Sequence, residues 1–224
     1  GLRSFDMKMP EEVNRRLTDH VSSLLFCPTK LAALNLAQEG IRDGVFVVGD
    51  VMTDVLRKMT RPARAALARM DVPKDYYFAT VHRQENTDDR LRLQGILEGL
   101  GSLPHPVVLP LHPRTRFRLK AFKLPVPSNI TTMDPVSYTG SLGLILGARA
   151  VLTDSGGLQK EAFLLGKPCI TLRDTTEWME TLAGGANRLV GSNARTILLA
   201  VRAIERKRPK VRPAQPVTEA TRSP

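Results

Sequence analysis

Little in this sequence could staple the chain or anchor it in lipid. Two cysteines, Cys27 and Cys169, lie far apart and match no metal-ligand or redox spacing. Their expected place is as small buried hydrophobes in a reducing, cytoplasmic setting. Aromatic residues make up 5% of the chain, with a single tryptophan. Apolar runs are short, Val45-Phe46-Val47-Val48 being typical, against the roughly 20 residues that a membrane-crossing helix needs. The opening residues do not read as a basic-then-apolar leader, so no contact with a membrane is expected. Gly1-Leu2-Arg3-Ser4 reads instead as mid-domain sequence, which suggests a piece of a longer protein.

What is present is an ordinary globular composition: 42% hydrophobic and 25% charged over 224 residues, enough to bury a core without staples. The net charge of +11 would suit an anionic partner. Much of it, however, sits near the end. Arg202, Arg206, Lys207, Arg208, Lys210 and Arg212 face Glu205 alone, and the segment runs into a proline-rich tail without hydrophobic periodicity. The body of the protein therefore has no strong claim on nucleic acid.

From residue 40 onward, β-rich apolar runs alternate with helical stretches. Strands are expected at 45–48, 76–81, 107–111, 129–131, 150–153 and 168–172. Helices are expected at 51–70, 91–100, 114–122, 142–146, 158–165 and 194–206. Such alternation predicts an α/β fold of doubly wound parallel sheets, with ligands outside the carboxyl ends of the strands. Before residue 40, Pro10-Glu11-Glu12 is a helix start, with Val13, Leu17, Val21, Leu24 and Leu25 as its apolar face. A second helix runs from Lys30 to a C-cap at Gly40. The expected organisation is 1–52 as part of an N-terminal Rossmann-like unit, 53–206 as a C-terminal one, and 207–224 as a disordered tail. The junction lies near Gly49–Asp54, and the last helix is able to pack back on the N-terminal unit.

Every polar cluster with chemical potential falls at a strand end. Thr153-Asp154-Ser155-Gly156-Gly157 leads from a strand into a helix. Glycines let backbone N–H groups approach an anion, and the helix dipole favours phosphate there. Glu161, further along the helix, can accept hydrogen bonds from a ribose diol. A strand-to-helix turn needs glycine in any case, and the loop is neither a dinucleotide fingerprint nor a P-loop. Thr80-Val81-His82-Arg83 follows another strand; the cationic pair can neutralise a diphosphate, and His82 can move a proton near neutral pH. His112, in Pro110-Leu111-His112-Pro113-Arg114, belongs to a rigid turn or stands as a second-ring or regulatory residue. Arg173 is either a phosphate contact or the ion-pair partner of Asp174. Glu11 and Glu12 read first as helix-capping carboxylates. No metal-ligand cluster and no Ser/His/Asp arrangement stands out.

Taken in order, these segments resemble one family, the non-hydrolysing UDP-N-acetylglucosamine 2-epimerases. "GLRS…MPEEVNRRLTDH", "FVVGDVMTDVL", "TVHRQEN", "PLHPRT", "LTDSGGLQKEAFLLGKPCITLRDTTEW" and "GANRLVG" follow the family's order from Gly1 to about Arg206. The resemblance implies a glycosyltransferase-B-like pair of Rossmann-like domains, the N-terminal one incomplete here, with the nucleotide sugar between them. It also implies a reaction with no cofactor: UDP leaves C1 as the C2 proton is removed, and UDP re-adds after protonation on the other face of C2. The product would be UDP-N-acetylmannosamine, serving cell-envelope polysaccharide synthesis in a cytoplasmic homodimer.

Carried over by position, Ser155, Gly156, Gly157, Glu161, Arg83 and Arg173 resemble UDP ligands, His82 the cleft histidine, and Glu11 an acid–base carboxylate. The family's other catalytic Asp and Glu would lie before Gly1, so catalysis by these residues alone is not expected. Trp178-Met179 stands where many members have Arg-Pro, and Gly140 and Gly143 fall in an expected helix that they weaken. The alternative is the donor-binding domain of a nucleotide-sugar glycosyltransferase, which would not require Glu11.

Overall fold

The computed structural model describes residues 1–206, so the tail expected over 207–224 lies outside the described residues. Two parallel sheets form. The smaller pairs β1 (Leu25–Cys27) with β2 (Val45–Val47), and the larger has six strands in the order β5-β4-β3-β6-β7-β8. These six are β3 (Tyr77–Thr80), β4 (Val107–Pro110), β5 (Ile130–Met133), β6 (Val151–Thr153), β7 (Cys169–Thr171) and β8 (Asn187–Leu189). The chain builds outward from β3 through β4 to β5, then returns to lay β6 on the other side of β3. The order therefore reverses between β3 and β6.

Side chains alternate across the large sheet with the period of a strand. Tyr77, Ala79, Val107, Leu109, Leu152 and Ile170 face one layer. That layer holds α5 (Arg90–Gly101), α6 (Pro113–Ala121) and α9 (Ala194–Arg206). Phe78, Val108, Val151 and Cys169 face the other, which holds α3 (Val51–Leu67), α7 (Tyr138–Gly147) and α8 (Gly156–Leu164). A sheet covered on both faces explains why its strands read as continuous apolar runs. Helix α9 packs on α5 and β7, with Glu205 receiving the Tyr77 hydroxyl at 2.9 Å. Its Ile197, Val201 and Ile204 belong to the first layer.

The first forty residues depart most from expectation. Helix α1 (Pro10–Val21) starts at Pro10, but Leu25 opens β1 instead of extending the helix face. Leu17, Val21 and Leu24 are exposed, and the buried residue of α1 is Glu12. Helix α2 (Lys30–Gln38) ends before Gly40, whose φ of +85° suits glycine after a helix. Cys27 and Cys169 are buried and unpaired. No helix among the described residues is long and apolar enough to cross a membrane.

Gly140 and Gly143 are explained by packing. A Cβ on Gly143 would stand 2.6 Å from the Ala63 carbonyl oxygen, and one on Gly140 2.8 Å from Met70 Cε. The missing side chains let α7 press onto α3 at Gly143 and onto Met70, just beyond α3, at Gly140, which offsets a helix-propensity cost of about 1 kcal/mol each. Gly143→Ala should accordingly lower the urea unfolding midpoint, by an amount worth about 1–3 kcal/mol. Helix propensity alone gives the opposite sign, so a stabilised variant would refute the close-contact account.

Candidate functional site

At the reversal of strand order, the carboxyl ends of β3 and β6 meet around one wholly buried carboxylate, Asp154. It accepts hydrogen bonds from the backbone N–H groups of His82 at 3.0 Å and Arg83 at 2.9 Å. Asn86 Nδ2, in α4 (Gln84–Thr87), donates to it at 3.2 Å and to the Leu172 carbonyl beyond β7 at 2.9 Å. The Thr80 and Thr153 hydroxyls meet at 2.6 Å, and Thr153 Oγ1 accepts the Ser155 N–H at 2.9 Å. Three strand ends are thus tied to one another by polar groups, as a buried carboxylate requires. Asp154 was part of the quoted motif, yet nothing in it marked the aspartate as the node.

Ser155 caps α8, its hydroxyl accepting the Leu158 N–H at 3.4 Å. The first N–H groups of a helix have no acceptor within it, so the Gly156-Gly157 turn presents donors and the positive end of the dipole together. The two glycines differ. A Cβ on Gly157 would meet only Ser155 Oγ, at 3.8 Å, whereas one on Gly156 would strike Glu177 Oε1 at 2.1 Å. Glu161 is buried further along α8, and burial pushes its carboxyl up to about 7 against the pull of the Tyr138 hydroxyl.

His82 and His112 come together, their ring centroids 5.6 Å apart. With Thr80, Ser141 and Leu158 they line a cavity of about 160 Å³. His112 also caps α6, its Nδ1 accepting the Arg114 N–H at 3.2 Å. Burial holds the His82 imidazole below its ordinary value, although Asp154, 3.4 Å from Nδ1, acts the other way.

Arg173 does not pair with Asp174. It is buried between Glu85 (3.1 Å), Glu177 (3.1 Å) and Met9 Sδ (3.2 Å), while Asp174 takes Arg92 at 3.2 Å. The strand end turns the two neighbours to opposite sides, which adjacency in sequence could not reveal.

Glu11 and Glu12 also separate. Glu12 is buried, accepts the Ser4 and Phe5 N–H groups and pairs with Arg15 at 2.7 Å. Glu11 is half-exposed and holds Arg83 at 2.5 Å. A hydrogen bond from its own backbone, joined by Arg83, keeps its carboxyl below the usual range against the effect of burial.

Sequence reasoning also passed over Lys160, which is buried against Glu180 (2.7 Å) and Asp50 (3.6 Å) with the Trp178 ring 4.5 Å away. Trp178, standing where Arg is common, therefore covers a buried cation.

Glu161 gives the site a measurable signature. Between the ordinary carboxylate range and about pH 7 the folded protein keeps a proton that the unfolded chain releases. Stability is therefore fullest below that window and falls as pH rises through it, by up to about 3 kcal/mol. Urea unfolding at pH 5 and pH 8 should show this loss in the wild type and not in Glu161→Gln. Equal losses in both would mean that Glu161 titrates normally.

The family profile described as UDP-N-acetylglucosamine 2-epimerase matches residues 1–220. A UDP-N-acetylglucosamine 2-epimerase homolog of Methanococcus maripaludis is 46% identical over 207 residues, covering 88% of this chain and 58% of the relative. The UDP-2,3-diacetamido-2,3-dideoxy-D-glucuronate 2-epimerase of Pseudomonas aeruginosa is 48% identical over 202 residues, covering 86% of this chain and 55% of the relative. The crystal structure of the Methanocaldococcus jannaschii UDP-GlcNAc 2-epimerase in complex with UDP-GlcNAc and UDP superposes with a TM-score of 0.85 at 44% identity, over 92% of this chain and 61% of that one. The chain thus spans between half and two thirds of the length of these relatives. On the extent of the profile match, it belongs to the UDP-N-acetylglucosamine 2-epimerase family.

Proposed function

We propose that this chain provides the UDP-holding part of a 2-epimerase that interconverts UDP-N-acetylglucosamine and UDP-N-acetylmannosamine. The observation that carries this reading is the union, at one reversal of strand order, of the Ser155-Gly156-Gly157 helix start with the Asp154-anchored His82 and Arg83. The diphosphate would lie on the first turn of α8 and beside His82 and Arg83, and Glu161 in its ionised form would accept the ribose hydroxyls. Arg173, with one arm on Met9 and the others on carboxylates, would serve by holding Glu85 and Glu177.

At the sugar, one base takes the C2 proton while the C1–O bond to UDP breaks, leaving 2-acetamidoglucal and UDP. Protonation of C2 on the opposite face and attack of UDP oxygen at C1 complete the inversion. Glu11 is the carboxylate of this chain assigned to that proton transfer, with His82 beside the departing diphosphate. Both ends of the exchange therefore need firm retention of UDP, which is the task of the large sheet.

Residues 1–52 would belong to an N-terminal Rossmann-like unit and 53–206 to the C-terminal one. In support, the β1–β2 pair exposes Phe26, Phe46 and Val47, whereas parallel sheets are normally covered on both faces. A cytoplasmic homodimer, as the resemblance implies, is part of the same proposal. A second reading, a UDP-2,3-diacetamido-glucuronate substrate, is favoured by the Pseudomonas relative at 48% identity.

Calorimetry on the 224-residue chain should detect UDP binding. Ser155→Ala and Glu161→Ala should each weaken it by about 1–3 kcal/mol. Unchanged affinity in both variants, with the fold retained, would remove the nucleotide assignment. Incubation in deuterated water with each of the two UDP-sugars then separates the substrates, because only the true one acquires deuterium at C2.

A further inference from the structure

Arg83 is anchored in one unit and reaches toward another. Its backbone N–H is held by Asp154 at 2.9 Å, so the side chain is rooted at the end of β3. From there it extends to the first turn of α1, where Nη1 donates to Glu11 Oε1 at 2.5 Å. Its Nε is buried and has no hydrogen-bond partner among the described residues.

A guanidinium carries five donors in a planar fork and is completed by a carboxylate or a phosphate. Here one arm is used and a buried N–H is not. The same Asp154 that anchors Arg83 directly precedes the Ser155-Gly156-Gly157 turn, so the α8 helix start adjoins the root of Arg83.

We propose that Arg83 is a positioning residue shared between Glu11 and the nucleotide: it holds the Glu11 carboxylate while the cleft is empty and turns to the diphosphate when that arrives, releasing Glu11. This rests on the nucleotide reading of α8 and adds a coupling to it. A carboxylate bound to arginine is a poor base, and losing the arginine restores its affinity for a proton. Glu11 would then become competent for the C2 proton only when a substrate diphosphate is in place.

Among the described residues, a second charge acting on Glu11 is Arg15, one turn along α1. Arg15 is itself held by Glu12 at 2.7 Å and faces Glu177 at 3.8 Å, so it has its own carboxylates to stay with. Arg83 is thus the partner free to leave.

The test is a carboxyl-carbon NMR titration of Glu11 in the full chain, its signal identified by loss in Glu11→Gln, with and without saturating UDP. The Gly156 and Gly157 amides report binding independently. Saturation should raise the Glu11 midpoint by about one pH unit, a size that one close opposite charge typically supplies. Arg83→Gln should raise it similarly without UDP, and added UDP should then change little.

Movement of the glycine amides without movement of Glu11 would overturn the coupling and leave the nucleotide site standing. A UDP-induced rise of equal size in Arg83→Gln would also overturn it, since direct repulsion by phosphate would then suffice. A folded wild-type chain in which UDP moves neither signal would defeat the nucleotide reading and the coupling together. Should Arg83→Gln not fold, Arg83→Lys replaces it: the charge remains without the fork, so a part-way rise without UDP supports the proposal and an unmoved midpoint overturns it.

Discussion

The buried carboxylate of Asp154 is the constraint around which the site is built. A carboxylate without water must collect donors, and the donors available at this depth are the backbone N–H groups of His82 and Arg83 and the Asn86 amide. Meeting that requirement fixes the turn after β3, joins it to the end of β6, and through Asn86 reaches the end of β7. His82 and Arg83 are held in place because their backbone is hydrogen-bonded, whichever way their side chains point. The charge is also consistent with the neighbourhood: the negative node sits beside Arg83 and the start of α8.

Around this node the protein buries further charge. Arg3, Lys160 and Arg173 are all nearly inaccessible, and each has carboxylate partners. Such groups give little net stability, because desolvation consumes most of the Coulomb gain. What they supply is position. Arg173 ties the loop after β7 to Glu85 and to Met9, and Lys160 ties α8 to Asp50, which caps the start of α3. Glu161 differs: burial raises its proton affinity, and the Tyr138 hydroxyl offsets only part of that. A ligand offering two hydroxyls would add to the hydrogen bond it receives from Tyr138.

Helix α1 belongs to this network by polar contacts: Glu11 to Arg83, Arg15 to Glu177 and Met9 to Arg173. Hydrophobic packing there is sparse, and Leu17 and Val21 face outward. An element held mainly by ion pairs responds readily to a new anion among its partners, whereas the packed layers around β3 and β6 do not.

Five of the large sheet's six strands were legible in the sequence because short apolar runs alternating with helical stretches are local properties, whereas β8 (Asn187–Leu189) carries no such run. The strand ends carrying Ser155, His82 and Arg173 were found for the same reason. Local pattern failed where partners lie far apart in the chain. Leu17, Val21 and Leu25 share a helical spacing, yet the chain bends at Ser23 and pairs Leu25 with Val45. Gly140 and Gly143 read as weaknesses until α3 was seen against them. Adjacent residues likewise look equivalent until folding assigns them sides, as with Glu11 and Glu12, or Arg173 and Asp174. The sequence by itself determined the sheet's class, its covered faces and the chemistry gathered at its strand ends, since these follow from residue type and spacing. Only the tertiary structure decided which carboxylate is buried, which arginine it anchors and which glutamate that arginine reaches. Those choices depend on distances between residues that the chain keeps some seventy positions apart.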